Sequence, residues 1–192
     1  MNLSLPPSPV KTSRLTLRPF ASSDFDPYAA YHASPVVYQY LYCDPPARNA
    51  LKQQFFDLLS ADFKKDDDVF TFAVIREDDG AVLGEVLIKL ASINASQGEV
   101  GYIFNPTFAG QGYATEAVRA MVDLGFDHFG FHRIFARLDA KNGGSVGVVE
   151  RLGFRREAHL IENDCFNGQW GNEFIYAQLR AEWQSKRSGG FM

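Results

Sequence analysis

The sequence predicts a mixed α+β fold in which about four helices flank a central, mostly antiparallel sheet of about seven strands. Three observations favour this class. Apolar or alternating runs of strand length recur along the chain, other runs have apolar residues at helical spacing, and strands in the middle of the chain are joined by short turns. No linker interrupts this pattern, so we expect a single domain over residues 1–192, with loose ends at about 1–11 and 184–192.

The first half of the chain predicts a strand, two helices and a hairpin. The run Leu15–Arg18 alternates apolar and polar residues, as a half-buried strand does. Ser22 and Asp24 are residue types that begin helices. The predicted elements are this strand, a helix from Ser22 through Tyr31, a helix over about Ala47–Phe63, and strands at Phe70–Arg76 and Val82–Leu90 joined by the turn EDDG.

The second half of the chain predicts strands that alternate with helices. Apolar residues recur every three or four positions in its longer helix, which follows a glycine-rich stretch. The predicted elements are a strand at Gly98–Asn105, a helix over about Tyr113–His128, a strand at Arg133–Asp139, a short helix at Ser145–Leu152, and final strands near Phe154–His159 and Glu173–Leu179.

Composition and charge exclude several classes of function. Hydrophobic residues make up 46% of the chain, enough for a full core, yet no apolar run approaches the roughly 18 residues of a membrane helix. We therefore expect a cytoplasmic protein with no membrane partner. The net charge of −4 argues against nucleic acid as a ligand, because phosphate binding needs a basic surface. Cys43 and Cys165 are too few and too far apart for a disulfide framework or a zinc site, and we expect no metal.

The stretch FAGQGYATEA, residues 108–117, predicts an anion-binding site. Gly110 and Gly112 allow close approach and unusual backbone angles, and Thr115 adds a hydroxyl. The helix that begins here presents unpaired N–H groups and the positive end of its dipole. A dinucleotide-binding GxGxxG loop would need glycine at position 115, and a P-loop would need GK[ST]. A turn that only connects a strand to a helix is the plain alternative.

Motifs along nearly the whole chain resemble those of the GCN5-related N-acetyltransferases, and within them the branch of ribosomal-protein N-terminal acetyltransferases. The matching segments are TSRLTLRPF, VLGEVLI, GYIFNPTFAGQGYATEA, NGGSVGVVERLGF and the last strand before RAEW. The resemblance implies a sheet splayed between the fourth and fifth predicted strands. It also implies acetyl-CoA as co-substrate, with its pyrophosphate at the glycine loop and its pantetheine arm along the strand that contains Ile103 and Phe104.

The same resemblance assigns further residues to the cofactor. Backbone donors to the pyrophosphate would come from the loop and the helix start, at Gln111, Gly112, Tyr113, Ala114 and Thr115. Asn142 matches an asparagine that hydrogen-bonds the pantetheine region, although asparagine is also a common turn residue. Ala109 departs from the family pattern, which has glutamine or arginine at that position.

The departing thiolate needs a hydrogen-bond donor or an acid. Many relatives have a tyrosine seven residues after the matching asparagine, and here that position is Val149. The ribosomal-protein branch instead places a serine three residues after the asparagine, where this chain has Ser145. The resemblance therefore implies that Ser145 lines the cofactor and donates to the thiolate. A helix N-cap is the alternative role for Ser145.

An amine must lose a proton before it attacks a thioester, and a carboxylate is the usual base. Glu99 is the first candidate, since the pleat places it on the same face as Gly101 and Ile103. Glu85 on the neighbouring strand is the second. Either residue is alternatively an ordinary strand carboxylate. We expect Glu116 to support the loop, because an acid in the first turn of a helix offsets the dipole.

The acceptor is the least defined part of the site. By resemblance, its cleft lies between Asp24–Tyr42 and the loop Leu160–Gly171, where aromatic residues with Glu162 and Asp164 favour a cationic amine. We expect an acetyl group to pass to a primary amine by direct attack in a ternary complex. A peptide α-amine, a polyamine, an aminoglycoside, a succinyl donor and a homodimer all stay open. The alternative function is a non-catalytic acyl-CoA-binding module.

Overall fold

Eight strands form one sheet in the computed structural model, which describes residues 1–60 and 62–189. In chain order they are β1 (Val10–Lys11), β2 (Leu15–Arg18), β3 (Val69–Arg76), β4 (Val82–Ser92), β5 (Gln97–Phe104), β6 (Arg133–Asp139), β7 (Arg155–Phe166) and β8 (Gln169–Leu179). Across the sheet they lie in the order β1-β2-β3-β4-β5-β6-β8-β7, and only the β5–β6 pair is parallel. The predicted fold class is confirmed.

Helices cover both faces of this sheet. They are α1 (Phe25–His32), α2 (Pro35–Tyr38), α3 (Arg48–Leu59), α4 (Tyr113–Leu124), α5 (Gly143–Arg151) and α6 (Arg180–Gly189). On one face, α4 buries Met121 in a main core with Ile88. On the other face, α1 and α3 bury Tyr31 and Phe55 in a second core with Ala73. Along β3, side chains alternate between the two cores, with Phe72 and Val74 in the main core and Ala73 and Ile75 in the second, as the pleat requires.

The sheet is splayed between β5 and β6. Their pairing has three partners, Gln97–Arg133, Gly98–Ile134 and Glu99–Phe135, and it ends there although β5 continues to Phe104. Beyond this point β6 still pairs with β8, and β5 still pairs with β4. The two strands are therefore held by different neighbours and part. This confirms the predicted splay, because β5 and β6 are the fourth and fifth predicted strands.

Several predicted boundaries were wrong. The second helix, α3, ends at Leu59, and Phe63 is buried in the main core outside any helix, while Ala61 lies outside the described residues. The helix α4 ends at Leu124 and widens into a π-helical turn over Gly125–Phe129. A Cβ on Gly125 would lie 2.5 Å from the Cδ1 of Ile134, so the chain comes closer to the sheet here than a side chain would permit.

The prediction of a loop over Leu160–Gly171 was also wrong. In the structure β7 extends to Phe166 and β8 begins at Gln169, so this segment is the end of a β-hairpin. The turn is Asn167–Gly168, with φ of 50° and 74°. Two residues in this left-handed region suit a tight hairpin turn, and Asn-Gly is the pair most often found there. The segment predicted as a loop is consequently the end of a long β-ribbon.

The chain ends differ from the predicted loose segments. Val10 and Lys11 form β1 and pair with β2. The helix α6 packs Trp183 into the main core, and its indole N–H donates to Asp123 at 2.6 Å. Residues 190–192 lie outside the described residues. Of the helices within the described ranges, none has both the length and the apolar character that crossing a membrane requires.

Candidate active site

The glycine loop before α4 has the geometry of an anion site. Gly110 and Gly112 have φ of 78° and 80°, in the left-handed region that favours glycine. The first backbone bond into the helix runs from the N–H of Glu116 to the carbonyl of Gly112. Within the described ranges, the N–H groups from Gly110 to Thr115 donate to no protein acceptor. These donors lie at the start of α4, where the helix dipole has its positive end.

A cluster that we call the Glu116 clasp fixes the start of α4. The Glu116 carboxylate accepts from the hydroxyls of Thr12 and Ser13 at 2.6 and 2.9 Å, and from the backbone N–H and Nε of Arg14 at 2.9 and 2.8 Å. Arg14 Nη1 also donates to the Gln111 carbonyl at 3.0 Å. Burial acts to raise the pKa of Glu116, but the hydrogen bonds outweigh it and lower the pKa to about 2.

A groove of about 750 Å³ runs beside the loop and along α4. Arg119 and Arg151 line it, and Arg151 Nε donates to the Thr115 hydroxyl at 3.3 Å. Neither guanidinium forms an ion pair in the part of the chain that the structure describes. The carboxylates of the groove are engaged elsewhere: Glu116 in the clasp, Asp123 by Trp183, and Asp127 by Arg187 at 2.8 Å.

Neither arginine of this groove is among the site residues predicted from the sequence. Arg119 lies four residues after Thr115, and this spacing places the two residues on the same face of a helix. That signal was available for Arg119. Arg151 reaches the loop from a different helix, so no local pattern indicates it.

The second motif places Asn142 and Ser145 at the start of α5. Asn142 is the N-cap, and its side-chain oxygen accepts from the Ser145 N–H at 3.1 Å. The alternative of an N-cap role for Ser145 was therefore wrong, because the helix begins at Gly143 and Ser145 lies inside it. The Tyr102 hydroxyl of β5 donates to the Ser145 carbonyl at 3.0 Å. Val149 is completely buried in the main core.

Glu99 lies at the point where β5 and β6 part. Its register partners are Lys89 on β4 and Phe135 on β6, and its side chain is half-buried. Burial raises the pKa of Glu99 above its usual value, while the positive charges of Arg137 and Lys89 oppose that change. Glu99 is thus a carboxylate of increased basicity at the apex of the splay.

Glu85 lies deeper, with 5% of its surface exposed. It accepts from the Tyr31 hydroxyl at 2.9 Å and lies 3.5 Å from Nε2 of His32, whose Nδ1 is 2.7 Å from the Tyr38 hydroxyl. Its register partner on β5 is Ile103, four residues beyond Glu99. Four strand residues span about 13 Å, so the structure does not bring the two predicted carboxylates together.

The two segments predicted to form the acceptor cleft meet at Tyr42. Its hydroxyl donates to the Asp139 carboxylate, and a Cβ on Gly171 would overlap the Tyr42 ring and its hydroxyl oxygen. Burial, the hydrogen bond to Asp139 and the charges of Asp164 and Glu173 raise the pKa of Tyr42.

The remaining predicted cleft residues divide between the core and the surface. Tyr28 and Tyr31 are buried in the second core, whereas Trp170 on the β7–β8 hairpin is 60% exposed. Glu173 is buried and holds Arg137 through two hydrogen bonds of 2.8 and 2.9 Å. The side chains around Tyr42 are therefore mainly acidic, with Arg137 as a cation paired to Glu173.

Comparison with known proteins adds a family to this geometry. Residues 14–155 match the family model described as acetyltransferase (GNAT) domain. A Bacillus subtilis relative, uncharacterized N-acetyltransferase YnaD, is 27% identical over 178 residues, covering 91% of this chain and 98% of the relative. The spermidine N(1)-acetyltransferase of Escherichia coli is 30% identical over 100 residues, covering 51% of this chain and 53% of the relative. The crystal structure of spermidine N-acetyltransferase from Vibrio cholerae in complex with CoA and spermine has the same fold, with a TM-score of 0.77, 20% identity, and coverage of 90% of this chain and 99% of that chain.

Replacement of Gly112 by valine tests the loop. A β-branched side chain both disfavours the left-handed backbone and occupies the space above the N–H groups, so we expect acetyl-CoA affinity to fall at least tenfold, about 1.4 kcal/mol, in calorimetry. Gly80→Val is the matched control, because Gly80 has a φ of 71° in a remote turn with open space around it. Equal affinity of both variants would remove the glycine loop from the binding site.

The Glu116 clasp predicts a pH dependence of stability. A carboxylate whose pKa is lowered in the folded state stabilises it above the unfolded value and loses that contribution as the pH falls toward the folded value. The difference in unfolding free energy between the wild type and Glu116→Gln should therefore be largest above about pH 5 and should shrink toward pH 2. Chemical denaturation across this range measures it, with Asp44→Asn as the baseline for an exposed acid. A constant difference would contradict the clasp.

Proposed function

The chain belongs to the GNAT acetyltransferase family and is an N-acetyltransferase, and we propose that it transfers acetyl from acetyl-CoA to a cationic primary amine. The transfer takes place by direct attack in a ternary complex. The observation that carries the proposal is the row of N–H groups from Gly110 to Thr115, which follows directly after the splayed strand β5.

The residues of the loop fit the pyrophosphate of acetyl-CoA. Gln111, Gly112, Tyr113, Ala114 and Thr115 are the proposed backbone donors. Arg119 and Arg151 add positive charge in the adjoining groove. A diphosphate with a further phosphate on its ribose needs both kinds of partner, because N–H groups give direction and guanidinium groups give charge.

The pantetheine arm is proposed to lie in the opening between β5 and β6. Residues of β5 beyond Glu99, among them Ile103 and Phe104, have no strand partner on that side within the described part of the chain. An extended amide chain there would add to the sheet edge as another strand does. Asn142 and Ser145 flank the opening at the start of α5.

Glu99 is the proposed general base. An alkylammonium has a pKa near 10.4 and must lose a proton to become a nucleophile. Glu99 is half-buried, its pKa is raised, and it lies at the apex of the splay, where the thioester end of the arm would arrive. A water molecule between carboxylate and amine would complete the transfer.

Glu85 is the weaker candidate for this role. Its carboxylate is buried and already hydrogen-bonded to Tyr31, with His32 close by. These contacts join α1 to β4, which is the role of a buried carboxylate that stabilises the fold. We therefore assign Glu85 to holding the second core, and Glu99 to the proton transfer.

The acidic side chains around Tyr42 support a cationic acceptor. Asp139, Asp164 and Glu173 lie close enough to influence the Tyr42 hydroxyl, with Arg137 as the one paired cation among them. The E. coli relative named for spermidine makes a polyamine the first acceptor to test. A peptide α-amine is the second, since Ser145 follows Asn142 with the spacing of the ribosomal-protein branch.

A screen of amine acceptors tests the proposed function. Purified protein, acetyl-CoA and each of spermidine, an aminoglycoside and a basic peptide are mixed, and release of the CoA thiol is followed against hydrolysis without amine. We expect the largest stimulation from a polyamine. Stimulation by the peptide alone would move the assignment to the ribosomal-protein branch, and no stimulation by any amine would contradict the cationic acceptor.

Glu99→Gln should lower kcat/KM by roughly 10²-fold at a pH below the pKa of the amine, with acetyl-CoA affinity unchanged. Part of the loss should return as the pH rises, because more of the amine is then unprotonated. Glu85→Gln, measured in parallel, is expected to affect thermal stability more than turnover. A silent Glu99→Gln with a large kinetic effect of Glu85→Gln would transfer the base to Glu85.

A further inference from the structure

The opening between β5 and β6 has a hydroxyl beside it that the proposed reaction does not yet use. Tyr102 belongs to the part of β5 that has lost its β6 partner, and its hydroxyl reaches the first turn of α5. Its 3.0 Å bond to the Ser145 carbonyl is the single hydrogen bond between β5 and α5 among the described residues. Tyr102 thus spans the place where the thioester end of the donor would lie.

Loss of the hydrogen bond from Tyr102 to the Ser145 carbonyl would cost the protein little stability. The Ser145 carbonyl lies inside α5, where a helical carbonyl also accepts from the N–H four residues later. Loss of the tyrosine hydroxyl would therefore leave no buried acceptor without a partner. The hydroxyl is free to exchange this carbonyl for a stronger acceptor.

We infer that Tyr102 donates a hydrogen bond to the sulfur of the departing thiolate. Many relatives have a tyrosine for this role at the position of Val149, whose side chain cannot donate a hydrogen bond. The inference rests on the proposed function, because it needs a CoA thioester in the opening. Val149 is buried in the main core, whereas Tyr102 is half-buried and directed at the start of α5. A hydroxyl directed at developing negative charge stabilises the transition state more than the ground state.

The step balances without an additional reactant. The amine nitrogen forms a bond to the acyl carbon and gives a proton to Glu99, and the bond from that carbon to sulfur breaks with its electron pair on sulfur. Burial raises the pKa of Tyr102 to about 12, although Ser145 and Arg151 oppose the change. A thiol has a pKa near 8.5, so the tyrosine keeps its proton and acts as a donor. The thiolate takes its proton from water after release.

Ser145 is the competing donor at the same position. Its side chain lies close enough to Tyr102 to lower the pKa of that tyrosine, and its backbone carbonyl accepts from the Tyr102 hydroxyl. Tyr102 is preferred because its hydroxyl is already oriented across the opening. The two assignments differ in which side chain alters the acidity of a bound thiol.

The experiment measures the acidity of the CoA thiol when it is bound. Ultraviolet absorbance of the thiolate is titrated with CoA on wild type, Tyr102→Phe, Ser145→Ala and Tyr176→Phe. Tyr176 is the matched control, since its buried hydroxyl also bonds α5, at Glu150 and 2.8 Å, away from the opening. We expect Tyr102→Phe to weaken the acidity of the bound thiol about tenfold and to lower kcat up to 10²-fold. CoA affinity at pH 7 should stay within threefold.

Each outcome decides the inference. An unchanged thiol acidity in Tyr102→Phe, or a change in Ser145→Ala alone, would overturn the role of Tyr102 and leave the proposed function intact. A wild-type protein that does not bind CoA would overturn both. The same change in Tyr176→Phe would show a general effect of losing a bond to α5, and would also contradict the inference. The phenylalanine variants keep the aromatic ring, so we expect them to fold. Circular dichroism checks that all three variants are folded.

Discussion

The end of the β5–β6 pairing at Glu99 is the constraint on which the rest of the structure depends. Each strand keeps a full set of hydrogen bonds on its other side, β5 with β4 and β6 with β8, so neither can follow the other. The sheet divides into a part with five strands and a part with three. The backbone groups of β5 that face the opening therefore have no strand partner among the described residues, which is the arrangement on which the proposed binding of an extended amide chain depends.

The helix that follows β5 places a positively polarised helix start beside this opening. The N–H groups at the start of α4 attract an anion, and a carboxylate in the same turn would weaken that attraction if it were free. Glu116 is not free, because Arg14 and the Thr12 and Ser13 hydroxyls surround it. The clasp therefore joins the start of α4 to the residues between β1 and β2. Its ion pair with Arg14 also offsets the negative charge of the Glu116 carboxylate.

Local patterns in the sequence account for most of the fold. The strands β2 and β6 have the predicted bounds, since alternation or β-branched and apolar runs marked them, and the glycine loop was readable from its residue types. The hairpin at Asn167–Gly168 had a signal that was available, the Asn-Gly pair between two strands. The supporting role of Glu116 was indicated by its place in the first helical turn, but its partners in the clasp and the Tyr102–Ser145 bond had no signal, because they join residues at least 102 and 43 positions apart and depend on the final topology. The wide turn after α4 likewise follows from the approach of Gly125 to the sheet.

The contact between Tyr42 and Gly171 limits which substitutions this part of the protein can accept. The two residues come from segments far apart in the sequence, and any side chain at position 171 would take the space of the Tyr42 ring. A substitution there would also release Asp139, which now accepts from the Tyr42 hydroxyl. A larger residue at position 171 is thus tolerated only when position 42 has already changed to a smaller one. The order of the two substitutions therefore matters. Variation at this contact would therefore proceed by paired replacements at positions 42 and 171.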